Sequence, residues 1–123
     1  MKQKLPERRR FLRVNVPLNI NVSCSGVSGV TAQVKNVSPV GLGIEILREL
    51  KIAQNLDLEL FLPGENAPVV LKGIVAWQAK KSLEDSSPYD VGIEIMDISD
   101  RDKNKFLKYL CDLLYGSVND VRC

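Results

Sequence analysis

The sequence predicts an all-β fold finished by one C-terminal α-helix. Three observations carry that prediction. Apolar and polar residues alternate with period two in six separate segments between Val14 and Ile98. Clusters of Gly, Pro, Asn and Ser punctuate those segments at short intervals. Beyond Ile98 the period becomes helical, with Phe106, Leu110, Leu113 and Leu114 on one stripe and Leu107 beside it. Such a pattern fits a small antiparallel barrel or a sandwich, and alternation alone does not separate the two.

Met1 to Glu7 shows no periodicity and contains Pro6, which reads as a mobile arm. From Val14, the residues Val14, Val16, Leu18, Ile20, Val22 and Cys24 alternate with polar ones, so this strand has one dry face. Pro17 falls on the polar set and calls for an edge or a bulge. Ser25 to Gly29 supplies turn chemistry for a hairpin. Val30, Ala32 and Val34 begin the second strand, which runs into Asn36. Pro39 interrupts it, and Leu42, Ile44 and Ile46 resume the alternation.

Residues 48–54 read as a loop or a short helical turn. Leu56, Leu58, Leu60 and Leu62 face inward from the fourth strand, closed by Pro63-Gly64-Glu65-Asn66. In the fifth, Val69 to Gln78, strict alternation puts Leu71, Gly73, Val75 and Trp77 together on one face. Core packing is therefore the expectation for Trp77, with a place beside a ligand as the alternative. The sixth strand, Tyr89 to Ile98, turns Val91, Ile93 and Ile95 inward. Ser99 is a good N-cap, Asp100 and Asp102 suit the positive end of the helix dipole, and Gly116 is a natural stop.

At 123 residues and 45% hydrophobic, the chain has the size of one domain and can bury a core without staples. No apolar run approaches the ~20 residues of a bilayer span, and the basic start lacks the apolar stretch of a signal peptide. The expectation is a cytoplasmic protein. Cys24, Cys111 and Cys123 are far apart and there is no histidine, so no metal-ligand spacing exists and none is expected. Without histidine, and with no Ser or Cys beside an evident base, the sequence does not read as an enzyme.

The net charge of +2 hides an asymmetry. Residues 1–13 carry Lys2, Lys4, Arg8, Arg9, Arg10 and Arg13 against Glu7 alone, a net +5, which leaves −3 on the rest. A basic arm on a slightly acidic body is the footprint of an anion-binding site. Guanidinium adds more than charge. It is planar and presents a fork of donors that matches phosphate oxygens or the O6/N7 edge of guanine. Asn36-Val37-Ser38-Pro39-Val40-Gly41 offers what a purine would still lack: a two-sided amide, a hydroxyl, and a backbone that admits close approach. These are also ordinary turn residues, and alone they would mark only a turn.

Taken together, Arg9-x-x-x-Arg13 and Asn36-x-Ser38-x-x-Gly41 resemble the two-part signature of the PilZ domain, a bacterial receptor for cyclic di-GMP. The resemblance covers nearly the whole chain. It implies a six-stranded antiparallel β-barrel over 14–98 capped by a C-terminal α-helix over 99–116, with a basic N-terminal arm over 1–13. It implies cyclic di-GMP as ligand, with Arg9 and Arg13 on guanine edges and phosphates, Asn36 and Ser38 on the same nucleotide, and Gly41 clearing its path. Arg8, immediately before the motif, implies an intercalated ligand dimer, two nucleotides per protomer. Arg10 and Trp77 are secondary candidates. Phe11 and Leu12 are expected to anchor the arm. No cofactor is implied, and the output goes to a protein partner in motility, surface polysaccharide or secretion.

Two other readings compete. A nucleic-acid-binding barrel would display several exposed aromatics for base stacking, whereas the aromatic residues here are scattered and the body is acidic, so DNA or RNA is not expected. A PilZ-like adaptor that binds protein without nucleotide would be expected to lack the arginines, which this chain keeps.

Overall fold

The computed structural model describes residues 14–24, 27–84 and 86–115. The arm over 1–13 with all four of its arginines, Phe11, Leu12, Gly116 and Cys123 lie outside the described residues, as do the side chains of Val14, Asn15, Val16, Val27, Ser28, Leu114 and Tyr115. Six strands are followed by one helix: β1 (Val14–Cys24), β2 (Val27–Ser38), β3 (Gly41–Ile46), β4 (Asn55–Leu60), β5 (Val69–Lys80), β6 (Tyr89–Ile98) and α1 (Asp100–Tyr115). Every pairing is antiparallel, and β1 pairs with both β2 and β4, which closes the order β1-β2-β3-β6-β5-β4 into a barrel. Closure gives every strand two neighbours.

The inner faces supply the core. Ile20, Val34, Val37, Leu42, Leu58, Leu60, Val69 and Val91 are completely buried, each on the inward set of its strand. The four leucines Leu56 to Leu62 all point in, as their spacing predicts. Gly73 is inward as well. A Cβ there would strike Ile93 and Leu58, so the missing side chain is what lets those two pack.

Bulges mark where alternation changes phase. One extra residue lies on β1 between Asn15 and Leu18, the span containing Pro17. Another lies on β2 at Lys35, between Val34 and Asn36. It explains why the inward set switches from Val34 to Val37. A third lies on β5 at Ala76, between Val75 and Trp77, and a fourth at Met96 on β6. β2 begins at Val27, earlier than the turn residues imply, with Cys24 opposite it.

Residues 47–54 form an irregular loop rather than a helix, pinned by Gln78. Its side-chain amide donates to the Leu50 carbonyl and accepts from the Leu50 N–H, both at 2.7 Å. Pro63 and Gly64 (φ 82°) make a turn in which the Glu65 N–H donates to the Leu62 carbonyl, as a type II geometry requires. Cys24 and Cys111 are unpaired and half-buried.

The helix is capped and docked by its own first turn. Ser99 Oγ accepts from the Asp102 N–H at 3.3 Å, the N-cap bond expected from its position. The Asp102 carboxylate accepts from the Val70 N–H at 3.0 Å, tying the helix to the start of β5. Phe106 and Leu110 then enter the core, 2% and 3% exposed, with Leu107, Tyr109 and Leu113 partly buried around them. Phe106→Ala should therefore cost about 3–5 kcal/mol by the usual transfer-plus-cavity sum. Urea unfolding checks this. Leu83→Ala, at a side chain 99% exposed, should shift stability by no more than about 0.5 kcal/mol.

Candidate functional site

A row of cross-strand partners crosses the outer face of the barrel. Asn15 on β1 pairs with Asn36 on β2, Asn36 with Gly43 on β3, Gly43 with Gly92 on β6, and Gly92 with Trp77 on β5. Adjacent strands lie about 4.8 Å apart, so two glycines side by side leave a strip of bare backbone between an amide and an indole. A cleft of about 570 Å³ opens there, lined by Lys35, Asn36, Gly43, Ile44, Trp77, Asp90 and Val91.

Both glycines are needed for the shape. A Cβ at Gly43 would stand 2.7 Å from Asn36 Oδ1 and 2.9 Å from its Nδ2. The Asn36 side chain thus lies over the space that Gly43 leaves empty. A Cβ at Gly92 would overlap the Trp77 indole at Nε1, Cε2 and Cδ1. The indole lies across Gly92 in the same way.

Trp77 corrects the expectation of core packing. Its side chain is 46% exposed, although Val75 two residues earlier is buried. The bulge at Ala76 is the physical cause, because one extra residue reverses which face the next side chain takes.

Lys35, put outside the alternation by its own bulge, reaches across β3 to β6. Its Nζ lies 3.2 Å from Asp90 Oδ1, with the two side chains 40% and 30% exposed. The hydrogen bond to Asp90 first, and the charge of Asp90 second, hold the Lys35 ammonium above its ordinary value of 10.5. Because the folded value is raised, the pair's contribution is full below that ordinary value and is lost as pH rises through the folded one. A second pair, Lys81 to Glu45 at 3.6 Å, extends the charged border.

Of the candidates read from sequence, Asn36 lines the cleft and Trp77 forms its far wall. Ser38 is placed differently. It is 1% exposed, and its Oγ accepts from the N–H groups of Val40 (3.3 Å) and Gly41 (3.2 Å) while lying 3.4 Å from the Gly41 carbonyl. The hydroxyl fastens the two-residue turn between β2 and β3. Gly41 is buried opposite Ser38 on one side and Glu94 on the other. Arg8, Arg9, Arg10 and Arg13 lie outside the described residues. Sequence reasoning missed Lys35, Gly43, Asp90 and Gly92. A lone glycine inside a strand does signal close approach by another group, and that signal stood at both Gly43 and Gly92.

The PilZ domain family matches residues 7–111. This chain belongs to the PilZ family. Solved structures share its fold at low identity. The inhibitor of motility from Bacillus subtilis superposes with a TM-score of 0.70 at 14% identity, over 99% of this chain and 55% of its own. The PilZ domain of YcgR from Escherichia coli, solved with c-di-GMP, gives 0.69 at 13%, over 93% and 99%. MrkH of K. pneumonia in complex with c-di-GMP gives 0.69 at 13%, over 95% and 55%. The chain thus spans about half the length of the first and third. No curated protein matches the sequence. Among the described residues of this PilZ chain, no helix is long and apolar enough to cross a membrane and no cluster of ligating side chains could hold a metal ion.

Trp77 is the one tryptophan, so the cleft carries its own reporter. Gly92→Ala should lift the indole off the sheet and move its emission maximum to longer wavelength. The far-ultraviolet circular dichroism should stay that of the barrel. An unmoved maximum would mean that the indole does not rest on Gly92.

Proposed function

We propose that this chain is a cyclic di-GMP receptor whose arginine-bearing lead-in closes over the Asn36–Trp77 cleft. One observation carries the reading. Val14, the residue after Arg13, pairs with Val37, between Asn36 and Ser38. The second half of the signature thus lies opposite the residue that follows the first half, although Arg13 and Asn36 are 23 positions apart in sequence.

The ligand's demands match what these residues offer. Two phosphates require two positive charges, and two guanines offer polar edges and flat faces. Arg9 and Arg13 supply charge and bidentate contacts. Asn36 offers an amide that can donate and accept. Trp77 offers a face on which a base can stack. Gly41 admits the chain or the ligand closely. Ser38 acts through the turn it fastens, which sets the height of Gly41 relative to Asn36. Arg8 is assigned to a second, intercalated nucleotide, and Arg10 to the general attraction of the arm.

The output is mechanical in this reading. A dianionic ligand bridges a +5 arm to a −3 body, and fixing the arm creates a surface that a protein partner recognises. The ligand shifts the population by binding one arrangement better than the other. Catalysis has no part in it.

Calorimetric titration with cyclic di-GMP, against GTP and linear pGpG as controls, tests the reading. It should give saturable binding of the cyclic ligand with two nucleotides per protomer. Arg9→Ala and Arg13→Ala should each weaken it by at least ~10-fold, the lower end of what a bidentate contact discriminates. A ratio of one would remove the role of Arg8 alone, and no binding would remove the function. Hydrogen exchange over residues 1–14 should slow at saturating ligand; unchanged exchange would refute the closing arm.

A further inference from the structure

The Lys35–Asp90 pair closes one end of the cleft and is not accounted for by the signature residues. Lys35 rises from a bulge on β2, crosses β3 and meets Asp90 on β6. Asp90 stands two residues before Gly92, on the same face of β6 and about 7 Å along it. The slot therefore has Asn36 on one side, Trp77 on the other, bare glycine backbone between them, and a carboxylate at its end.

That carboxylate is only partly used. Asp90 Oδ1 takes the bond from Lys35, and no described residue donates to Oδ2. A carboxylate accepts only, at two oxygens and about four sites. Guanine offers a matching edge, with N1–H and the 2-amino group as adjacent donors. Adenine presents a bare N1 acceptor and no 2-amino group, so the same carboxylate meets a lone pair and goes unsatisfied. An acceptor that a bound ligand covers and leaves without a donor is what makes a hydrogen-bonding site reject an analogue.

A carboxylate beside a dianionic ligand also needs compensation, and Lys35 provides it. The ammonium, held in its charged form by Asp90, makes the pair neutral overall, so the slot accepts a neutral base edge without repelling the phosphates. We infer that Asp90 is the residue that selects guanine over adenine in this cleft, with Lys35 as the counter-charge that makes its presence tolerable. The inference rests on the cyclic di-GMP reading and adds a base-selecting residue on β6, outside both halves of the arginine and Asn-x-Ser-x-x-Gly signature.

The test is competition binding of cyclic di-GMP and cyclic di-AMP to the full chain and to two variants, Asp90→Asn and Lys35→Met. Both variants break the ion pair, and only the first removes the carboxylate. The wild type should favour the guanine ligand. In Asp90→Asn that preference should narrow by ~10-fold or more, chiefly through lost cyclic di-GMP affinity. Lys35→Met should weaken both ligands together and keep their ratio. Binding that persists in Asp90→Asn with an unchanged ratio overturns the inference. Equal narrowing in Lys35→Met overturns it too, because the pair and not the carboxylate would then set the preference. A wild type that binds neither ligand overturns the receptor reading itself, and the two failures are told apart by that wild-type titration. Thermal unfolding of both variants, at side chains 40% and 30% exposed, checks that the barrel persists.

Discussion

The contact between Gly43 and Gly92, neighbours on β3 and β6, is the constraint from which the outer face takes its form. A strand pair normally covers its backbone with side chains on both faces. Here one row is bare, and the Asn36 amide and the Trp77 indole lie into the gap from either side. Any Cβ at either glycine would drive one of those walls away. The cleft is thus made by removing side chains from a closed sheet, and the barrel's integrity is what keeps its floor flat.

Two bulges aim the walls. Without the extra residue at Ala76, Trp77 would follow Val75 into the core. Without the one at Lys35, Asn36 would follow Val34 inward and Val37 would turn out of the core. Bulges gather beside binding sites because they re-aim a side chain without disturbing the ladder on either side. The interior absorbs this through Gly73, where Ile93 and Leu58 fill the space a side chain would need. At the other end of β5, Phe106 and the Asp102–Val70 bond fix the helix, so the support of the barrel and the shaping of its cleft fall to different parts of one strand.

Much of this was legible in the sequence. The strand alternation, the Ser99 cap, the helical stripe and the two-part signature sufficed for the six-stranded fold and the family. Pro17 announced its bulge, because a residue without an N–H cannot sit in a regular inner ladder. What alternation misread was Trp77. Period two carries no mark of an inserted residue, and a large apolar ring reads as core wherever phase puts it. Ser38 has a second role that was not legible for a related reason: a hydroxyl offers the same chemistry to a ligand as to its own turn, and only geometry shows that the Val40 and Gly41 N–H groups donate to it. Lys35 and Asp90 are 55 positions apart, and nothing local in either segment points to the other.

The central claim is that the cleft between Asn36 and Trp77 is where a cyclic dinucleotide lies. Tryptophan emission followed during titration with cyclic di-GMP tests it most directly, since the single indole is one wall of that cleft. The account predicts a saturable change in emission that tracks the calorimetric binding curve. Full calorimetric binding with the emission of Trp77 unchanged would contradict it, because the ligand would then be bound somewhere else on the barrel.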